Sequence, residues 1–214
     1  MKKVNISELR RLYTKDGIVE VDLPEDPLEL LQQWVGQAIN SQALEPNAMS
    51  LATVKKDGHP DVRMVLLKDI GQDSISFYTN YDSGKAEDLE NHPVAGCCFW
   101  WPELERQVRL KGEVEKTPAE MSKEYFASRP RESQIGAWAS DQSSEVESRE
   151  QLESQFRKYQ TKFEGKEIPM PEHWGGYNVI LSEIEFWQGR PGRLHDRIRY
   201  RMSGNRWERK RLAP

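Results

Sequence analysis

The sequence predicts a mainly β protein with peripheral helices, its strands forming a small closed or split barrel. Short β-branched or aromatic runs recur between turn signals from Met49 to the C-terminal end. The helical patterns lie outside those runs, and there is no regular strand–helix alternation of the kind that builds a parallel α/β sheet. At 214 residues the chain fits one medium domain, 1–214, with its own core. The hydrophobic fraction is a modest 36%, yet 7 Trp, 7 Tyr and 6 Phe bring large buried area per residue, which argues against disorder.

Taken in order, Ile6, Leu9, Leu12 and Tyr13 recur at helical spacing before Asp16-Gly17, which predicts a short amphipathic helix within a mobile N-terminal segment, residues 1–22. Asp26-Pro27 supplies an N-cap and a first-turn proline, followed by the apolar stripe Leu28, Leu31, Trp34, Val35 and Ala38. Residues 49–54, 62–68 and 74–78 then read as three strands in a meander, the first two joined by the turn Lys56-Asp57-Gly58-His59. A short helix over 83–91 stops before Pro93, and strands follow over 94–101 and 107–115. Two helices come next, one over 118–128 and a longer charged one opened by the capping box Ser144-x-x-Glu147 and running towards Phe163. Residues 165–172, rich in Pro and charge, form a loop. Strands over 177–187, 193–202 and 206–212 close the chain, the last pair joined by Ser203-Gly204-Asn205.

Lys plus Arg total 31 against 35 Asp plus Glu, and the net charge of −4 offers no global attraction for nucleic acid or an anionic membrane. The opening residues carry charge with no apolar stretch behind them, and no apolar run approaches the roughly 20 residues of a membrane span. A cytoplasmic protein with small-molecule or protein partners is expected. Cys97 and Cys98 are adjacent and would point to opposite faces of a strand, so neither a disulfide between them nor a metal site is expected.

Four segments carry candidate chemistry. In Arg193-Leu194-His195-Asp196-Arg197, strand alternation would place Arg193, His195 and Arg197 on one face, a basic patch suited to phosphate or carboxylate or else a solvated edge. Ser128-Arg129-Pro130-Arg131-Glu132-Ser133 offers two guanidinium groups and two hydroxyls as a phosphate grip, with Tyr125 one helical turn before Arg129. Ser83-Gly84-Lys85 opens a helix whose free N–H groups favour an anion, or is an ordinary Ser cap. In the run from Arg63 to Lys68, alternation puts those two cations on opposite faces. A bulge intervenes, two pockets or two subunits are served, or both ends simply reach solvent.

These blocks, together with Arg10-x-x-Tyr13, Phe77-Tyr78-Thr79-Asn80, Leu104-Glu105-Arg106-Gln107-Val108, Ser133-Gln134-Ile135-Gly136-Ala137, Gln142-Ser143-Ser144, Trp174-Gly175-Gly176 and Phe186-Trp187-Gln188-Gly189, resemble the pyridoxine/pyridoxamine 5′-phosphate oxidase family over nearly the whole chain. The resemblance implies an FMN-binding split β-barrel, a homodimer, and two FMN sites that each draw on both chains. It implies that Arg63, Met64, Val65, Leu66, Leu67, Lys68, Tyr78, Thr79, Lys85, Gln107, Gln142, Ser143, Trp187 and Arg197 line the flavin. Substrate would meet Lys68, Tyr125, Arg129, Ser133, Arg193 and His195, with Arg10 and Tyr13 closing over it, and Arg193 and His195 would orient the reacting C4′ group as the catalytic pair. The family pattern often has Arg where this chain has Gly84, which implies one phosphate donor fewer and weaker FMN binding.

The reaction so implied is oxidation of pyridoxine or pyridoxamine 5′-phosphate to pyridoxal 5′-phosphate by hydride transfer to FMN, with dioxygen as the final acceptor. Rival readings are a flavin reductase, which needs nicotinamide and has no use for the Arg129 and Ser133 grip, a non-catalytic carrier of FMN or pyridoxal phosphate, and a cofactor-free interaction barrel.

Overall fold

The computed structural model describes residues 12–214, which form nine strands and five α-helices. In chain order these are α1 (Pro27–Asn40), β1 (Ala48–Val54), β2 (Pro60–Leu66), β3 (Asp69–Ile70), β4 (Ser74–Asn80), α2 (Gly84–Asn91), β5 (Val94–Trp101), β6 (Arg106–Lys116), α3 (Ala119–Ser128), α4 (Arg131–Ala139), α5 (Arg149–Lys162), β7 (Trp174–Gln188), β8 (Asp196–Ser203) and β9 (Arg206–Arg211). Hydrogen bonding links the strands in the order β2-β1-β5-β6-β7-β4-β3, with β8 paired to β7 and β9 to β8. The chain divides into two compact units. One comprises residues 12–46, Cys98–Leu110 and Glu183–Pro214, and the other Asn47–Cys97 and Lys111–Ser182.

In the first unit, α1 starts where Asp26 accepts the Leu28 N–H at 2.9 Å and Pro27 occupies the first turn. Its stripe buries Leu28, Leu31, Trp34 and Ala38, and the Trp34 ring meets Phe186 edge-on at 5.1 Å. Antiparallel pairing of β7 with β8 sets Trp187 opposite Arg197 and Glu185 opposite Arg199. The β8–β9 hairpin turns at Gly204, whose φ of 59° favours glycine.

In the second unit, β1 and β2 form a hairpin whose turn needs Gly58 at φ 87°, and β1 buries Met49, Leu51 and Thr53 on alternate positions. Strand β4 pairs with β3 and β7, so the expected three-strand meander stops after its first hairpin. A satellite cluster of Phe126, Ile135, Phe163, Ile168 and Trp174 joins α3, α4 and the segment following α5 to the start of β7. Gly112 is fixed by close approach, since a Cβ there would lie 1.9 Å from the Ile180 carbonyl oxygen.

Three local expectations are corrected. Helix α4 was not anticipated: Pro130 restricts Arg129 to an extended conformation, φ −71° and ψ 148°, which ends α3, and a second helix begins at once. Helix α5 begins four residues later than the Ser144 box predicts, because Ser148 accepts the Gln151 N–H at 3.3 Å, so Ser148-x-x-Gln151 is the cap in use. Strand β8 begins at Asp196 and not at Arg193, because Pro191, Gly192 and Arg193 form a tight turn with Gly192 at φ 65° and Arg193 at φ 63°. The anticipated N-terminal helix falls largely outside the described residues, and Leu12 and Tyr13 have no regular structure. Cys97 and Cys98 form no disulfide. Among the described residues, no helix is long and apolar enough to cross a membrane, and no His/Cys/Asp/Glu group could hold a metal ion.

Candidate functional site

Two adjoining cavities in the second unit collect most of the candidate residues. The larger, about 820 Å³, is lined by Arg63 from β2, Gly84, Lys85 and Asp88 from α2, and Gln142 and Ser143 from the segment after α4. Ser83 precedes α2 without capping it, since its hydroxyl donates to the Asn80 carbonyl at 2.7 Å, while the Gly84 N–H donates to Ser143 Oγ at 3.2 Å. The Lys85 ammonium lies within hydrogen-bond reach of Thr79 Oγ1 at 3.0 Å, Ser83 Oγ at 3.1 Å and Gln142 Oε1 at 2.8 Å. Burial first, and repulsion from Arg63 second, push the Lys85 ammonium down to about 8. Arg63 is itself held by Asp61 at 2.6 Å and Asp88 at 3.4 Å, whereas the buried Lys85 ammonium is met by hydroxyl and amide oxygens. A phosphate group would compensate the Lys85 charge.

The neighbouring cavity, about 590 Å³, shares Met64, Lys85 and Gln142 with the first and extends past Lys68, Tyr78, Tyr125, Arg129 and Ser133 to Trp174. One wall is an aromatic stack: Tyr78 on Tyr125 at 4.1 Å and on Trp174 at 5.5 Å, with Tyr125 and Trp174 themselves 6.2 Å apart. Gly176 leaves room for the stack, because a Cβ there would stand 2.7 Å from the Tyr78 ring. Lys68 lies over Tyr125 at 5.6 Å and Arg129 over Trp174 at 4.6 Å. Among the described residues, Arg129 Nη1 is the one buried side-chain nitrogen or oxygen without a hydrogen-bond partner, and burial lowers the pKa of its guanidinium. A desolvated, unpaired cation beside a flat aromatic wall is suited to a planar ligand bearing an anion.

The predicted phosphate grip around Pro130 is only half used. Arg131 turns away to donate to the carbonyls of Lys166 at 2.9 Å and of Phe163, and Ser128 donates to the Tyr125 carbonyl at 2.8 Å, leaving Arg129 and Ser133 in the cavity. The difficulty posed by Arg63 and Lys68 resolves as two pockets: β2 ends at Leu66, Arg63 enters the larger cavity, Lys68 the smaller, and Leu67 is buried.

The first unit holds a second cluster. His195 lies 4.7 Å from Trp187, and Tyr13 meets both rings edge-on, Trp187 at 5.6 Å and His195 at 5.5 Å. His195 Nδ1 accepts the Arg190 N–H at 3.1 Å, which leaves the proton of the neutral ring on Nε2. Burial, and next the Arg193 charge, hold the imidazole below its ordinary pKa. Arg193 is exposed and precedes the strand, so the expectation that Arg193, His195 and Arg197 share a strand face is corrected. Arg197 is fixed in a bidentate pair with the buried carboxylate of Glu185, at 2.8 and 3.1 Å. Gln107 is half-buried on β6. Arg10 lies outside the described residues.

Sequence reasoning missed Trp174, Lys55 and Lys56 as lining residues and Glu185 as the anchor of Arg197. The Gly175-Gly176 pair after Trp174 signals a close approach, and the alternation of Glu183 and Glu185 facing Arg201 and Arg197 signals paired charges; Lys55 and Lys56 carry no comparable signal.

This sheet, carrying two cation-lined cavities, is the fold of the FMN-binding split barrels. A pyridoxamine 5′-phosphate oxidase-related, FMN-binding protein from Nostoc punctiforme shares it with a TM-score of 0.70 at 14% identity, over 90% of this chain and all of that one. PhzG from Burkholderia lata, solved with tetrahydrophenazine-1-carboxylic acid, superposes with a TM-score of 0.86 at 29% identity, over 91% of this chain and 95% of that one. The chain belongs to the pyridoxamine 5′-phosphate oxidase family: residues 35–163 match that family, and residues 174–214 match the pyridoxine 5′-phosphate oxidase C-terminal dimerisation region. Proteins named pyridoxine/pyridoxamine 5′-phosphate oxidase are similar along nearly their whole length. One from Synechocystis is 49% identical over all of both chains, and one from Leptospira interrogans is 52% identical over 98% of each.

Proposed function

We propose that this protein oxidises pyridoxine 5′-phosphate and pyridoxamine 5′-phosphate to pyridoxal 5′-phosphate in the cytoplasm, with FMN as its cofactor. The observation that carries the reading is the orphaned Arg129 Nη1 beside the Tyr78, Tyr125 and Trp174 stack, in a cavity that adjoins a second one built around Lys85. Two anionic groups thus have two separate cations to meet.

In this reading Lys68, Tyr125, Arg129 and Ser133 grip the substrate phosphate and ring. Arg63, Lys85, Gln142 and Ser143 hold the FMN phosphate, with Met64, Val65, Leu66, Leu67, Lys68, Tyr78, Thr79, Gln107, Trp187 and Arg197 along the rest of the cofactor. When bound, FMN supplies the two-electron acceptor for the C4′ hydride and hands those electrons to dioxygen, giving hydrogen peroxide. The side chains do the positioning: anchoring the phosphates brings the donor carbon and its acceptor together, and that proximity lowers the barrier. Arg193 and the Nε2–H of His195 orient the C4′ substituent, whose hydroxyl proton is lost as the aldehyde forms; with the amine, water hydrolyses the imine and ammonia leaves.

The working form is a homodimer in which both chains contribute to each site. The match of residues 174–214 to a dimerisation region supports this, as does the outward face of edge strand β2, where Val62, Met64 and Leu66 expose their side chains. The test is an absorbance spectrum of the purified protein before and after anaerobic pyridoxine 5′-phosphate, followed by peroxide measurement in air without nicotinamide. A flavin spectrum that bleaches, with peroxide on aeration, is expected; colourless protein, or flavin that stays oxidised, would refute the assignment.

A further inference from the structure

We propose that Glu105 is a positioning residue that seats Tyr13 against His195, an inference that rests on the oxidase reading only for its kinetic consequence. Glu105 closes the turn between β5 and β6 with its backbone at φ 54°, a conformation that disfavours residues other than Gly, Asn and Asp, and it is only 1% exposed. A buried carboxylate in a strained turn needs compensation, and the chain before α1 provides it: Glu105 Oε2 accepts the N–H groups of Thr14 at 2.8 Å and Lys15 at 3.1 Å. From the same residue, the backbone carbonyl accepts the Gly189 N–H at 2.8 Å and a Gln188 side-chain N–H at 3.2 Å. Glu105 therefore ties residues 14 and 15 to the end of β7, two residues from Trp187.

The seat for Tyr13 is shaped on the other side by Gly189. A Cβ there would lie 2.8 Å from two carbons of the Tyr13 ring and 3.2 Å from the Glu105 Cβ, so only glycine leaves room for the ring beside Trp187 and His195. Further ties run from the Ile18 N–H to Asp196 at 3.0 Å and from Arg190 to the Lys15 carbonyl at 3.0 Å, but these hold residues farther along the chain, whereas Glu105 accepts from Thr14, which directly follows Tyr13. The buried carboxylate is the anchor next to the ring. With the anchor intact, the Tyr13 ring stands perpendicular against His195 and backs the orientation that the Arg190 N–H sets.

The experiment compares FMN-loaded, full-length wild type with Glu105→Ala, Glu105→Gln and Gly189→Ala, reading amide hydrogen exchange over residues 12–18 together with KM and kcat for pyridoxine 5′-phosphate. Glu105→Ala should speed exchange over 12–18 by about tenfold or more, and Glu105→Gln by less, because an amide oxygen still accepts a hydrogen bond without the charge. Both should raise KM, Glu105→Ala by about tenfold, with kcat changed less than about twofold. Gly189→Ala, which fills the seat with the carboxylate in place, should give the same selective rise in KM. A purely structural role would instead loosen β6 and β7 along with residues 12–18. Unchanged exchange over 12–18 in both Glu105 variants, or a wild-type KM in Gly189→Ala, overturns the proposal; should Glu105→Ala not fold, the other two variants decide it. If wild type makes no peroxide from this substrate, the oxidase reading fails by itself, and the exchange comparison still decides whether Glu105 holds the segment.

Discussion

Replacing Arg129 with Met should separate binding from stability. In the ligand-free protein Nη1 is buried without a partner, and such a group costs about 1 to 3 kcal/mol. Against this, the guanidinium gains about 0.5 to 1 kcal/mol from lying over Trp174 at 4.6 Å. Met fills a similar volume along the same aromatic wall, so the ligand-free variant should be as stable as wild type or up to about 2 kcal/mol more so, a rise in Tm of between zero and about 8 °C. Substrate binding should move the other way. Loss of a charge-assisted hydrogen bond to the phosphate, worth about 1.5 to 3 kcal/mol, predicts a KM for pyridoxine 5′-phosphate raised about 10- to 150-fold, while FMN stays bound. Calorimetry on the ligand-free protein and steady-state peroxide kinetics read the two effects. A variant with wild-type KM, or one that melts several degrees lower, would show that Arg129 does not stand as an uncompensated cation awaiting an anion.

Other predictions follow from the cavity around Lys85 and from the pair on β7 and β8. Because Lys85 is pushed down to about 8 and must be charged to meet a phosphate, FMN affinity should be full below that pH and fall above it, about tenfold weaker at pH 9 than at pH 7. Flavin fluorescence titrations check this, and Lys85→Met should remove the dependence; a flat wild-type profile counts against it. Gly84→Arg should tighten FMN binding about three- to tenfold, because a Cβ there meets Ser143 Oγ at an ordinary 3.8 Å and the helix start faces the same cavity; an unchanged Kd would mean that the side chain does not reach the phosphate. Arg197→Met should lose flavin during gel filtration and also lower Tm, since the buried Glu185 keeps Arg109 at 3.6 Å but loses its bidentate partner. Full flavin content in that variant would remove Arg197 from the site.

Much of the fold was legible because its signals are local. Strand β5 spans Val94–Trp101 as read, Asp26-Pro27 opens α1, and Pro93 follows the end of α2. The errors share a cause: a strong local signal was used differently by the surrounding structure. The helix over 118–128 stops before Pro130 as the sequence suggests, yet the proline only bends the chain into a second helix, and Ser144 resembles a cap as well as Ser148 does. Around His195, alternation counts residues correctly only if a strand exists, and the turn through Gly192 removes it. The candidate residues in the two cavities were recognisable by type and resemblance, but which arginine stays in the cavity was not. Arg129 and Arg131 look equivalent on paper, and only the position of the Phe163 and Lys166 carbonyls separates them. Glu105 was visible only as part of a recurring block, because its role depends on a backbone 90 residues away.

The rings of Tyr78, Tyr125 and Trp174 belong to a strand, a helix and another strand that are distant in sequence. Whatever rests on them clamps three pieces of chain at once, and so resists their separation in proportion to how fully the site is filled. The melting point of this part of the molecule should therefore climb with the logarithm of ligand concentration and keep climbing past saturation, making thermal denaturation a direct gauge of affinity for any compound offered to it.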